Sequence, residues 1–353
     1  MNMANFLMPE NAPEADVIDG ATLDGEATRI GVVDVRRGPI ADIATSDDGR
    51  LVVTNHGDDT VSLLNPRTLA VAGAVAVAGE PFAVVVADGR AYVSTSSAGG
   101  DAVSVIDTAA ATVVATYSLA FSVTALAASP DGKRVYAART GDGHADIVVI
   151  DTTAERVGTI DIATGAGIGI DAVQVDPTGK RLYVAITDAA GSALVIVDAE
   201  TAKVQRTVPI DAPIRDLAIV DGSAYVLVSD RARGGAVAVL NLSTGRITGT
   251  AELGIGAPTQ MTVSADSARA YIVDYDNVTV LCTRSLEIVN KLKVDARPSC
   301  VAVDSAAGHL YVADYAGEVT ALSVASAMPL LFEEFMATDP IYLPIAQREP
   351  VSA

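Results

Sequence analysis

A segment of forty-odd residues recurs seven times along this chain, and that recurrence constrains the fold more than any single motif. Full copies are SDDGRLVVTN from Ser46, SPDGKRVYAAR from Ser129, DPTGKRLYVAI from Asp176 and DSAAGHLYVAD from Asp304. Degenerate copies are ADGRAYVST from Ala87, VDGSAYVLV from Val220 and SADSARAYIVD from Ser264. Aligned, they put Val52, Tyr92, Tyr136, Tyr183, Tyr225, Tyr271 and Tyr311 at one position, with spacings of 40, 44, 47, 42, 46 and 40 residues. Repeats of this length cannot bury an apolar face alone and must stack on their neighbours.

Each copy reads as four short strands. A small apolar strand such as Ala125–Ser129 leads to a turn with Asp-Gly chemistry, then to the Tyr-bearing strand. A Gly- and Asp-rich loop follows, then a β-branched strand such as Ile147–Ile150 and a last strand such as Val204–Ile210. No helical periodicity intervenes, so the pattern predicts an all-β radial array. The seventh copy runs out after Val324 with three strands, while Arg29–Val35 (RIGVVDV) reads as an outer strand with no blade before it. Pairing the two would close the ring and remove two exposed edges. The expectation is a seven-bladed β-propeller of four-stranded blades over 29–324, its last blade closed by the N-terminal strand. Residues 1–28 form an acidic, partly flexible tail and 325–353 an apolar, Pro-containing one. The alternative is a six-bladed ring with an appended hairpin.

The segments GRLVVTN…DTVSLLN, GRAYVST…DAVSVIDT and KRLYVAI…SALVIVDA resemble the YVTN-type β-propeller repeat family across nearly all of the chain between the tails. The resemblance implies the fold. It implies little about activity, since the family includes surface proteins and lactonase-like members. The Ala/Val/Asp-rich style is similar to that of cytoplasmic propellers of actinobacteria. A mycobacterial member of that group is associated with the complex that exports trehalose monomycolate. The resemblance thus implies a cytoplasmic protein recruited peripherally to a membrane transporter complex.

Lys and Arg number 24 against 44 Asp and Glu, a net charge of −20, which argues against a nucleic-acid partner and against docking on anionic lipid through a basic patch. Half the residues are hydrophobic, enough for a large core. The first positive charge is Arg29, so no secretory signal is expected. Nor is direct membrane insertion: the uncharged stretch Thr68–Gly79 is far below the roughly 18–20 residues that span a bilayer. Cys282 and Cys300 sit in different repeats without a CxxC partner and read as small buried residues.

Chemistry in such a ring is expected where the loops joining second and third strands share a face with the crossings between blades. That rim would carry His56, Asp58, Arg139, His144, Arg231, Arg233, Asp274, Tyr275, Asp314 and Tyr315, with Glu80, Phe82, Asp171, Arg215, Gln260 and Arg297 at the crossings. His56 and His144 are candidate ligands for a divalent ion, against the plainer reading of solvated loops; they lie in non-adjacent blades. Asp274 and Asp314 occupy matching positions in adjacent blades and are candidate acid–base residues, with Arg139 as counter-charge. The plainer reading has them satisfying turns. The repeated tyrosines read as structural. TGAGIGI from Thr164 precedes a strand rather than a helix and is a blade crossing, not a phosphate loop. No cofactor is expected.

Past Val324, Leu330, Leu331, Phe332, Phe335 and Met336 have helix-like spacing before Pro340 and Pro344. This tail could plug the propeller base, dock a partner or stay disordered. A scaffold that assembles a protein complex is the favoured function. A lactonase-like hydrolase with its site at the channel mouth and a small-ligand sensor in the axial channel are the alternatives. Closed edges predict a monomer.

Overall fold

The computed structural model describes residues 22–23 and 27–324, apart from 47–48, 121, 155, 255 and 305–307. Regular structure among the described residues is entirely β. Seven antiparallel sheets span 40–76, 80–119, 122–164, 169–210, 214–254, 260–292 and 298–324, each ordered from an innermost to an outermost strand as the chain runs. Innermost strands touch those of both neighbouring blades, and the cycle closes between Pro298–Asp304 and Ile40–Thr45. This is a seven-bladed β-propeller.

Ring closure follows the predicted route. Ala27–Asp34 pairs antiparallel with Glu318–Val324, from Ala27 opposite Val324 to Asp34 opposite Glu318, and supplies the fourth strand of blade 7. The strand begins two residues before the predicted Arg29, and the two-residue strand Thr22–Leu23 adds to its outer edge. Val35 donates its N–H to the Gly317 carbonyl at 2.9 Å, and Arg29 pairs with Asp295 in the crossing from blade 6. Gly317 adopts φ +106°, and a Cβ there would collide with the Arg36 carbonyl, so only glycine lets the two ends approach so closely.

Burial grades outward along each blade. The second strands, such as Leu51–Asn55 and Arg90–Ser96, are covered on both faces by neighbouring blades, so they read as near-continuous apolar runs rather than alternating ones. Outermost strands such as Lys203–Ile210 are largely exposed. Tyr92, Tyr136, Tyr183 and Tyr311 are fully buried, and the Tyr311 hydroxyl donates to the Pro66 carbonyl at 3.0 Å. The chain also holds an uncharged run longer than Thr68–Gly79, from Thr108 to Pro130. It forms the outer strand of blade 2 and the innermost strand of blade 3, and no described helix is long and apolar enough to cross a membrane.

The turns between first and second strands come in two lengths. Asp88–Gly89 and Asp221–Gly222 have positive φ at both residues, the signature of a two-residue primed hairpin. SPDGKR instead closes a longer loop, with Ser129 N–H to the Arg134 carbonyl at 2.8 Å and Gly132 N–H to the Ser129 carbonyl at 2.9 Å.

Candidate functional site

Most of the rim acids build their own loops. Asp188 accepts the N–H groups of Ala190 and Gly191, and Asp230 those of Ala232 and Arg233. Asp314 Oδ1 accepts three, from Ala316, Gly317 and Glu318, at 2.8–2.9 Å. Asp274 Oδ1 accepts those of Ala257 and Tyr275 at 2.9 and 2.7 Å. An oxygen held by two or three loop N–H groups is committed to its own turn, the plainer of the two readings. Arg139 lies not beside these acids but in blade 3, in a bidentate pair with buried Asp146 at 2.8 and 2.7 Å.

His56 and His144 are held apart in their own blades. The His56 ring lies 4.7 Å from Phe82, with Nε2 3.8 Å from the Glu80 carboxylate. His144 Nε2 approaches Asp146 at 3.1 Å and Asp161 at 3.6 Å. Among the described residues, His144, Asp146 and Asp161 are the one group whose ligand atoms cluster closely enough for a metal ion, but both Asp146 oxygens already serve Arg139. Asp58 accepts from Thr60 and lies 3.4 Å from Arg36, and Arg231 and Arg233 are solvated. Leu330, Leu331, Phe332, Phe335 and Met336 lie outside the described residues.

Two features do converge. At the crossing into blade 7, the Arg297 guanidinium lies 4.6 Å from the Tyr275 ring and 4.8 Å from the Tyr315 ring, between tyrosines of adjacent blades. Both rings stay open, at 60% and 45% exposure. The second feature is the axial channel, a cavity of about 920 Å³ bounded by the innermost strands.

Bulges in those strands set the channel chemistry. The register slips between Ile40 and Asp42, and likewise between Ile214 and Asp216, so one residue is extruded at the mouth and the next is aimed at the axis. By their pairing, the equivalent axial positions are Asp42, Ala83, Ala125, Ala172, Asp216, Gln260 and Cys300 for blades 1 to 7. Blades 2, 3 and 4 therefore present alanine. Blades 5, 6 and 1 present polar side chains, whereas Cys300 of blade 7 is buried in the core.

The polar side chains also stitch blade to blade. Asp42 Oδ2 accepts Val84 N–H at 2.9 Å, Asp216 Oδ2 accepts Met261 N–H at 2.8 Å, and Gln260 Oε1 accepts Val301 N–H at 2.8 Å. Gln260 Nε2 reaches across blade 7 to donate to Asp42 Oδ1 at 3.2 Å. Both carboxyls are half-buried and walled in by the ring. Burial pushes Asp42 up to about 6 and Asp216 up to about 7, against the opposing pull of their N–H donors, and the Asp42 charge adds to the rise at Asp216. Asp42 and Asp216 went unnoticed in the sequence, where the mouth residues Arg215, Gln260 and Asp171 drew attention instead. The signal was a lone Asp inside an apolar strand, in PIADIAT and PIRDLAIV.

No protein-family model matches the chain. It is 36% identical to the seven-bladed beta-propeller protein Rv1057 of Mycobacterium tuberculosis, over 89% of each chain. It is 52% identical to a seven-bladed beta-propeller protein of Mycolicibacterium smegmatis, over 93% of this chain and 90% of that one. The chain belongs to this propeller family. Among solved structures, the propeller is similar to a chain of hydrazine synthase from Kuenenia stuttgartiensis, with a TM-score of 0.73 and 21% identity over 83% of this chain and 97% of that chain. That likeness concerns the fold alone.

Proposed function

We propose that this propeller is a non-enzymatic scaffold that holds a protein complex together, docking a partner on its rim. The observation that carries the reading is the Tyr275–Arg297–Tyr315 cluster. Tyrosine and arginine dominate interface energetics because they bring large contact area and directional donors at low entropy cost. Here a guanidinium is pre-stacked between two open rings, so little rotamer freedom remains to be lost on docking. At Asp274 and Asp314 one carboxylate oxygen, Oδ1, is given to loop N–H groups, which fits a turn-building role.

Ala27 and Val324 pair at the opposite face. The similarity to cytoplasmic propellers of actinobacteria supports a cytoplasmic setting and a membrane transporter of cell-envelope lipid, such as trehalose monomycolate, as the kind of complex served. Capture from cytoplasmic and membrane extracts tests this, using the full chain, Tyr275→Ala with Tyr315→Ala, and a chain lacking 325–353. The expected result is a defined membrane-protein partner lost from the tyrosine double variant. Equal recovery of the same partners by that variant refutes rim docking. Loss only on truncation moves the contact to the C-terminal segment.

A further inference from the structure

The axial channel has a charge imbalance that the scaffold reading does not use. Its lining residues include five acids, Asp42, Asp88, Asp131, Asp171 and Asp216, and one cation, Arg215. Arg215 lies exposed at the mouth, where its charge acts on Asp171. Deeper in, the Asp42 and Asp216 carboxyls are held by backbone N–H groups and, for Asp42, the Gln260 amide. Like charges in a low-dielectric walled cavity focus a negative potential, and removing either acid would relieve it.

The shape of the cavity defines what would answer that potential. Asp42 and Asp216 come from blades 1 and 5, with Gln260 and Cys300 on the blades between. They belong to no group of three ligands close enough to wrap a bare metal ion. At the level of the two carboxyls the facing positions are Ala83, Ala125 and Ala172, small and apolar, with Thr124 and Asp171 nearer the mouth and Asp88 and Asp131 on the turns at the far end. Two anionic ends at separate points of a ring, facing an aliphatic wall, match a short aliphatic chain with a positive charge at each end. A volume of about 920 Å³ lies in the range of small-molecule sites.

We propose that the channel is a binding site for a small aliphatic dication, of the diamine or guanidinium-amine class, held between the carboxylates of Asp42 and Asp216 against the alanine wall. The site is independent of rim docking: its ligand lies on the axis, whereas Tyr275 and Tyr315 are exposed on the rim.

Calorimetric titration of the full-length protein with putrescine tests the assignment, with the neutral isostere 1,4-butanediol and with calcium as comparison probes. The expected result is saturable one-to-one binding of putrescine and none of the diol. Asp42→Asn and Asp216→Asn should each weaken it by about tenfold or more. Both variants keep the side-chain shape and relieve a buried charge, so they fold. Glu200→Gln, an exposed acid outside the channel, should leave binding unchanged. No saturation by putrescine overturns the proposal. So does an equal effect of Glu200→Gln, which would mark diffuse attraction to an acidic surface, and so does saturation by calcium alone.

Discussion

Asp216→Asn separates a structural carboxylate from one that the fold tolerates at a cost. The folded pKa is raised, from 3.8 to about 7, so the folded state binds more protons than the unfolded chain between those values. The stability this group allows is therefore complete below pH 4 and falls as pH rises through 7. At about 1.4 kcal/mol per unit, the full loss above pH 7 is on the order of 4 kcal/mol. Two terms reduce what substitution recovers. Channel water already solvates part of the charge. Asn also has one carbonyl oxygen where Asp216 uses two, for Leu217 and Met261 N–H, which costs about 1 kcal/mol. We expect Asp216→Asn to be roughly 1–3 kcal/mol more stable than wild type at pH 8, with that advantage absent or reversed at pH 5. For a propeller of this size the gain corresponds to about 2–4 °C in Tm. Urea denaturation of both proteins at pH 5, 6, 7 and 8 reads the difference, which includes the repulsion between Asp42 and Asp216. A difference in stability that stays constant across that range would mean Asp216 ionises as an ordinary surface acid, and the argument from the walled channel would fail.

Other substitutions probe other parts of the ring. Asp146→Ala removes the bidentate partner of Arg139, whose side chain is 12% exposed, and should destabilise by about 3–5 kcal/mol in denaturant melts. Gly317→Ala should cost at least about 3 kcal/mol, because the added carbon collides with the Arg36 backbone at a positive φ; a neutral melt would contradict the tight seam. A chain begun at residue 36 lacks the closing strand and should lose protection of the Glu318–Val324 amides in hydrogen exchange, whereas one begun at residue 27 should keep it. Tyr311→Phe deletes the hydroxyl bond to the Pro66 carbonyl and the contact with His309 Nδ1, and should cost about 1 kcal/mol.

The fold was legible in the sequence because its determinants are local and repeated. Each blade has a tight turn, Asp-Gly in four of the seven, followed by a strand apolar on both faces with Tyr at one register in six, and these recur at a countable period. Even the closing strand could be located, since RIGVVDV is an outer strand lacking its blade. The candidate site was less legible, for a geometric reason. Whether a rim Asp faces a ligand or its own loop depends on one or two backbone torsions, so Asp274 and Asp314 look the same in sequence under either role. Asp42 and Asp216 reach the axis only because a bulge extrudes the preceding residue, and a bulge leaves no residue signature of its own. The Tyr275–Arg297–Tyr315 stack joins residues that are sequence neighbours of nothing in common. Pairing Asp-Tyr at 274–275 with Asp-Tyr at 314–315 did hint that two blades would present the same ring.

The seam between Ala27–Asp34 and Glu318–Val324 gives this protein an awkward birth. The closing strand leaves the ribosome ahead of every blade, while its mate is the last strand that the ring requires. Roughly 280 residues intervene, and at about 5–20 residues per second the early strand waits on the order of 15–60 s without its partner. Val33 and Val35, destined for the core between blades 7 and 1, stay wetted throughout that delay. Nascent chains stalled before residue 318 should therefore be the ones that recruit holdase chaperones, and release from them should coincide with translation of the last blade.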